Sequence, residues 1–423
     1  MENLTLHLLE PSHFHAALLL GQLDARVHLP IQVHAGFLWD DQPFLGWVKS
    51  LENRGWNLNQ IQWNRSEDPV ASILKSKGTP VALLAGQNQS KPDRILRLLF
   101  GNVPVLCDKP LWVTEFSGRP LANFLETTTK TIFLDDCMTE RFEPAFALQR
   151  LLLTEGIPDF ELRSGKPNRN RFQLGNTHHL AKKVEGISIK RSSAFFETET
   201  YGDPFADVGV HLVDHFLGLL SSMGVSTQSL ATEPGTVNST WSHLDPQSLR
   251  ISTESEAPLF PIEQVWEGGQ GDSRGQISTH WLADEENLPP EGQFAIVHGN
   301  GCSLVAAMDP ITQSMELDLV GLSAKERSKK MATMSAIIEK LPAPWPKTSL
   351  DATRFGIRMP PPKLPWSIHS KRFPLILTRF LDRIHKRHPL SSYESEKLRL
   401  KYFLSAGANR RAPNRHIPIN PFL

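Results

Sequence analysis

Val103-Pro104-Val105-Leu106-Cys107-Asp108-Lys109-Pro110 is a short apolar run that ends in a carboxylate, an ammonium and a proline. A run of this length bounded by breakers reads as a buried strand, and Pro110, with no N–H, fixes the turn that ends it. Ligands of open parallel sheets sit beyond the carboxyl ends of the strands, so Asp108 and Lys109 stand where a ligand would. A partly desolvated ammonium there suits proton transfer or the polarising of a hydroxyl; the plainer reading is a strand end with one exposed lysine. On the N-terminal side Thr5–Leu9, Pro30–His34 and Pro80–Ala85 are further strand-like runs, the last followed by Gly86-Gln87-Asn88. On the other side Thr131–Leu134 runs into Asp135-Asp136. Helical patterns lie between them: His13–Leu23, with Ser12 as candidate N-cap, and a stretch through Ile95 and Leu99. Short apolar strands alternating with helices predict a parallel sheet with right-handed crossovers.

After Arg150 the texture changes. Phe160–Arg163, Ile277–Ala283, Phe294–His298, Cys302–Ala307 and Met315–Val320 alternate as antiparallel strands do, and Asn300-Gly301 between two of them is a type I′ hairpin signal. Leu341–Trp366 is proline-rich and predicts an extended strap. Ser391-x-x-Glu394 is a capping box that opens a last helix to about Ala406, followed by a tail with Arg410, Arg411 and Arg415. The fold class is therefore α/β: an N-terminal Rossmann-like parallel sheet plus an α+β domain with a largely antiparallel open sheet. The expected divisions are residues 1–145, 146–340 and 341–423, the third a strap and helix packed back on the body.

The chain has 423 residues, with 45 Lys+Arg against 45 Asp+Glu. Zero net charge argues against a nucleic-acid partner, which selects a basic excess. No apolar stretch approaches twenty residues, so no membrane span is expected; Met1-Glu2-Asn3 lacks the basic start of a signal peptide. Cys107, Cys137 and Cys302 lie far apart, which suggests neither a disulfide framework nor a metal site. The reading is a cytoplasmic protein without metal.

Asp207-Val-Gly-Val-His211-Leu-Val-Asp214 places polar residues at i, i+4 and i+7, on one face of a helix that Val208, Leu212, His215 and Leu219 can bury. Carboxylate, imidazole and carboxylate so aligned can relay a proton; a solvated face with one satisfied histidine is the bland alternative. Asn176-Thr-His178-His179-Leu-Ala-Lys182 is either pocket lining or a polar surface turn. Asp135, Asp136, Glu140 and Arg141 follow a strand end near the same cleft, where an ion-pair cluster is the plainer reading. The first βα turn, Glu10-Pro11-Ser12-His13-Phe14-His15-Ala16, lacks the G-x-G-x-x-G that lets backbone approach a pyrophosphate.

Lys109-Pro110 after a strand, with Asp207-xxx-His211-xx-Asp214 on a helix, resembles the Gfo/Idh/MocA family of sugar and polyol oxidoreductases. Glu10-Pro-Ser-His-Phe-His-Ala-Ala17, Leu106–Pro110, Asp135–Arg141, His178-His179 and Asp207–Asp214 resemble more closely a branch with its own C-terminal domain type. Its first turn commonly reads Asp-Pro-Gly-His-Phe-His-Ala, so Glu10 stands for Asp and Ser12 for Gly. The resemblance implies an N-terminal domain that binds NAD or NADP and a second domain whose open sheet mediates contacts between copies. It implies that Lys109 contacts the substrate hydroxyl and nicotinamide ribose, that its bond to Pro110 is cis, that His211 is the acid/base, and that Asp207 orients substrate or imidazole. Lys109, His211 and Asp207 are thus the candidate catalytic residues. Asp214, His178, His179 and Arg141 are the candidate substrate residues. Glu10, Ser12, His13, Phe14, His15, Asn88, Asp108, Lys109 and Pro110 are the candidate cofactor residues. Oxidation of a carbinol needs its O–H proton removed, which an imidazole near neutral pKa can do, while a nearby ammonium stabilises alkoxide charge. The expected partner is a carbohydrate-like small molecule. Two other classes stay open: a glycoside hydrolase or lyase working by transient NAD-dependent oxidation, and a cofactor-free binding protein on a decayed scaffold.

Overall fold

The computed structural model describes residues 4–407 apart from 41, 54–60, 87, 158–159, 163–169, 190, 192, 233, 245–258 and 283–290, together with 409–410 and 414–415. The first half alternates strand and helix: β1 (Leu4–Leu9), α1 (His15–Leu19), β2 (Val27–Ala35), α2 (Gln42–Glu52), β3 (Ile61–Arg65), α3 (Pro69–Leu74), β4 (Thr79–Leu84), α4 (Lys91–Phe100), β5 (Val105–Cys107), α5 (Glu115–Thr127) and β6 (Leu134–Asp136). The six strands pair in parallel in the order β3-β2-β1-β4-β5-β6. Leu6, Leu8, Val81, Leu83 and Leu106 are buried on one face of the sheet and Leu9, Ala82, Leu84, Val105 and Cys107 on the other, which is why these strands read as continuous apolar runs. The expected parallel sheet is present, with all its carboxyl ends at one edge.

Two details of its first crossover depart from the sequence reading. The predicted helix His13–Leu23 shrinks to five residues. Gly21 breaks the apolar stripe, and its N–H closes back on the Leu18 carbonyl. Ser12 is not the N-cap either: its own N–H donates to the Ala85 carbonyl at 2.9 Å, and Phe14 takes the cap position without a side-chain bond. The edge strand β3 escapes the sequence reading because Ile61-Gln-Trp-Asn-Arg65 is half polar.

The second half builds a mixed sheet. After α6 (Pro144–Glu155) come β7 (Phe172–His179), a small hairpin of β8 (Lys182–Val184) and β9 (Ile187–Ile189), α7 (Thr198–Tyr201), a π-helical turn Phe205–Gly209 and α8 (Val210–Ser222). β10 (Thr236–His243), β11 (Leu259–Gly268), β12 (Gly275–Leu282), β13 (Gly292–His298), β14 (Ser303–Met308) and β15 (Met315–Val320) follow. Beyond the helix Ala324–Lys340 lie β16 (Asp351–Ala352) and β17 (Gly356–Arg358). The order β16-β17-β15-β14-β13-β7-β12-β11-β10 is antiparallel except for β7 beside β12. α6 and α8 cover one face, burying Phe146, Leu212, Phe216 and Leu174. α8 lies close because residue 275 is glycine: a Cβ there would sit 2.9 Å from the Phe216 ring.

Here too some expectations need correction. Asn176–His179 is the end of a strand rather than a surface turn. The hairpin at Asn300-Gly301 forms, but only Gly301 (φ 79°) is left-handed, so its turn is not type I′, which needs both residues there. Leu162 makes an isolated bridge to Gly299 where a strand Phe160–Arg163 was expected, and Arg163 and Ala283 lie outside the described residues. The proline-rich strap carries β16 and β17 back to β15. The helix Arg372–His385, not read from sequence, lays Phe373, Ile376 and Leu377 against Ala16 and Ala17. The last helix, Ser392–Gly407, opens with the predicted reciprocal bonds: Glu394 N–H to Ser391 Oγ, 3.2 Å, and Ser391 N–H to Glu394 Oε2, 2.9 Å. Arg410 and Arg415 of the tail lie in short pairings alongside β10, and Arg411 is outside the described residues. No helix among the described residues is long and apolar enough to cross a membrane.

Candidate active site

Because β5 is only three residues long, Asp108 and Lys109 emerge at the carboxyl edge of the sheet, and the Lys109–Pro110 peptide is cis. Lys109 reaches across to the π-helical turn before α8, where Nζ donates to Asp207 Oδ1 at 2.5 Å and to the Asp207 carbonyl at 2.8 Å. Burial pushes the Asp207 carboxyl up, but the Lys109 charge and hydrogen bond pull it further down, so it lies below the usual carboxylate range. His211 sits one turn along. Its Nδ1 is buried without a hydrogen-bond partner, and burial, aided by the Lys109 charge, holds its pKa well below 6.5. The imidazole is thus neutral at pH 7 and able to accept a proton.

These three side chains line one cavity of ≈ 800 Å³ between the two sheets. His13, Phe14 and His15 of the first turn face it, as do Asn176, Thr177 and His178 of β7, and Arg191 and Trp281. The Arg191 guanidinium lies 5.3 Å from the Trp281 ring centroid, which combines a cation with a flat apolar wall. The strap residues Pro360–Pro362 and the start of the Arg372 helix close the far side. There Glu143 bonds to Arg372, and burial pushes its carboxyl up to about 7 against the pull of that arginine. A second cavity of ≈ 770 Å³ between α5 and the last helix is walled by Glu115, Arg119, Glu126 and Arg399. It lies away from the strand ends that carry Lys109.

Other predicted residues go elsewhere. Asp214 receives two bonds from Arg141, at 2.7 and 2.9 Å, and one from Lys401 at 3.1 Å. Arg141 also pairs with Asp135 at 3.2 Å and Asp136 at 3.1 Å, so the expected ion-pair cluster forms among these three, while Glu140 instead pairs with Arg372 at 3.3 Å and lines the cavity. Neither Asp214 nor Arg141 lines the cavity. Seven residues carry Asp214 ~10 Å along the helix axis from Asp207, and the wider π turn rotates Asp207 out of ideal register. His179 follows His178 on a strand, so it points to the opposite face. The His178 ring lies 5.4 Å from that of Trp281.

The first turn binds its own protein. Glu10 takes φ 41°, the left-handed conformation that a glycine would adopt freely. Its carboxylate accepts the Gly36 N–H at 2.9 Å and pairs with Arg94. Both Ser12 and His13 donate their N–H to the Ala85 carbonyl, at 2.9 and 3.3 Å. A Cβ on Gly86 would lie 1.9 Å from Ser12 Oγ, so the serine fills that notch. Asn88 spans from the Lys91 ammonium (2.8 Å) to the Tyr201 carbonyl (2.8 Å). Lys91, which sequence reasoning missed, is fully buried and also donates to Asp108 Oδ1 at 2.5 Å and to the Pro110 carbonyl at 2.9 Å. Arg191, Trp281 and Glu143 were missed as well, because no local motif ties them to the strand ends.

No protein-family model and no curated protein matches this sequence. Solved structures do. A Parabacteroides merdae protein provisionally described as an oxidoreductase aligns with TM-score 0.80 at 21% identity, over 96% of each chain. A Sinorhizobium meliloti protein provisionally described as a myo-inositol dehydrogenase aligns with TM-score 0.52 at 14% identity, over 96% of each. Levoglucosan dehydrogenase, in complex with NADH and levoglucosan, aligns with TM-score 0.58 at 14% identity, over 96% of each. At these identities the likeness establishes a shared fold: a Rossmann-like parallel sheet joined to a mixed sheet.

The site can be tested against a dinucleotide. The strand order 3-2-1-4-5-6 and the cavity beside Lys109 suit a nicotinamide end. The diphosphate end is built differently, since two N–H groups of the first turn are committed to the Ala85 carbonyl just beyond β4.

Proposed function

We propose that this chain is an NAD(P)-dependent oxidoreductase of the Gfo/Idh/MocA kind that acts on a secondary hydroxyl of a sugar or polyol. The observation that carries the reading is the meeting of Lys109, Asp207 and His211 in one cavity, an ammonium from one sheet and an imidazole from the helix on the other. The fold shared with levoglucosan dehydrogenase in complex with NADH supports it. A bound nicotinamide would supply the hydride acceptor. His211, kept neutral by burial, takes the hydroxyl proton. Lys109, aimed by its bonds to Asp207, donates to the same oxygen and stabilises its developing charge. Asn176, His178 and Arg191 offer polar contacts and Trp281 a flat face, a lining suited to a polyhydroxylated ring.

The test is turnover of a panel of sugars and polyols with NAD⁺ or NADP⁺, in wild type and His211→Ala. The substitution should lower turnover by roughly 10²–10⁴ while the dinucleotide still raises the melting temperature. An unchanged rate removes His211 from the chemistry. The commitment of the Ser12 and His13 N–H groups to Ala85 favours a second reading, a cofactor-free carbohydrate-binding protein. Ligand linkage separates the two, since stabilisation grows as RT ln(1 + [L]/Kd). If neither NAD⁺ nor NADP⁺ shifts the melting curve, the second reading stands and the first falls.

A further inference from the structure

We propose that His13, His15 and Asp108 form a binding site for one divalent transition-metal ion at the first βα turn, open to the cavity. The three residues come together from two strand ends, and their ligating atoms all lie within 4.8 Å of one another. Asp108 is divided between two tasks. Its Oδ1 is taken by the Lys91 ammonium at 2.5 Å and the Gly86 N–H at 3.3 Å. Its Oδ2 faces the imidazoles, 3.4 Å from His13 Nδ1 and 3.5 Å from His15 Nδ1. Those separations exceed ordinary hydrogen-bond lengths. They match two ligands each ~2.1 Å from a shared tetrahedral centre, which lie about 3.4 Å apart. His13 Nδ1 is buried and has no hydrogen-bond partner, so its lone pair is available at the point where the carboxylate oxygen converges.

Two imidazoles and one carboxylate suit zinc and its first-row neighbours rather than magnesium or calcium, which prefer all-oxygen shells. Lys91 supplies the outer support that such centres need, fixing which carboxylate oxygen is presented. His13 and His15 both face the cavity. The remaining coordination position is therefore open to an oxygen of whatever the cavity holds, the pattern of a reactive rather than a structural centre. The inference stands apart from the oxidoreductase reading, because it concerns ion binding alone.

The experiment is calorimetric titration of tag-free, chelator-stripped full-length protein with Zn²⁺. Co²⁺ serves as a parallel probe whose ligand-field absorption reports imidazole ligation. One equivalent should bind. His13→Ala and His15→Ala should each weaken binding by at least the roughly 10–100-fold that loss of even a supporting residue causes. The Co²⁺ bands should vanish with it. Should either variant fail to fold, His13→Gln and His15→Gln keep the volume and remove the ligand, and the wild-type titration needs no variant. Absence of stoichiometric binding by wild type overturns the site. So does binding that both variants retain unchanged.

Discussion

Lys91 shows how single residues set this site. Its fully buried ammonium has four acceptors: Asn88 Oδ1, Asp108 Oδ1 and the carbonyls of Asp108 and Pro110. A buried charge is tolerated only when so surrounded, and the arrangement stiffens the turn from which Lys109 projects. Nothing in the sequence around Ser90-Lys91-Pro92 distinguishes this lysine from a solvated one, since its partners lie up to 19 residues away. Lys109 and His211 were legible because each sits in a local motif with a chemical rationale. A histidine pair away from the cavity adds to the acid sensitivity that buried His211 and His215 also confer. His7 Nδ1 and His34 Nε2 lie 2.9 Å apart inside the parallel sheet. Burial, with His34 adding repulsion, lowers His7 from 6.5 to about 4, and burial lowers His34 likewise to about 4. The folded state therefore binds fewer protons than the unfolded chain between those values, so stability is full above about pH 6.5 and falls as pH drops toward 4. Thermal midpoints measured across this window should show a shallower slope in His7→Gln than in wild type. Equal slopes would mean that the pair does not control it.

At the scale of elements, what could be read depended on how each strand is buried. β1, β4 and β5 are covered on both faces and announce themselves as apolar runs, whereas β7 does not. Within Gly175-Asn176-Thr177-His178-His179 three successive polar residues, Asn176, Thr177 and His178, line the cavity, so the stretch resembles a turn in composition while its backbone pairs with β12 and β13. The Asp207 face was legible as a helix, but its π-helical start was not, because five-residue backbone closure leaves no compositional signal. The last helix was legible through its capping box. Ser391→Ala should cost about 1 kcal/mol, read by urea denaturation. A cost near zero would mean that the helix is held by its packing on α5 and α8 alone.

For the whole molecule, the two sheets are joined by buried charge as well as by apolar packing. Asp136 from the end of β6 and Asp214 on α8 share Arg141 and Lys401, and Tyr402 donates its hydroxyl to Asp136 at 2.7 Å. Sequence order could not foretell this cluster, whose members come from three distant segments. Removing one partner of a buried pair is costly, so Lys401→Met should destabilise by ~3–5 kcal/mol, with both sheets losing structure in one transition. Separate transitions would show that the sheets are energetically independent. The cluster also imposes an order on biosynthesis. Lys401 leaves the ribosome 187 residues after Asp214, so throughout that interval two acidic groups have one guanidinium between them. A nascent chain stalled before its final helix should accordingly stay protease-sensitive at the seam between the lobes, and release of the last few turns should be the event that locks it.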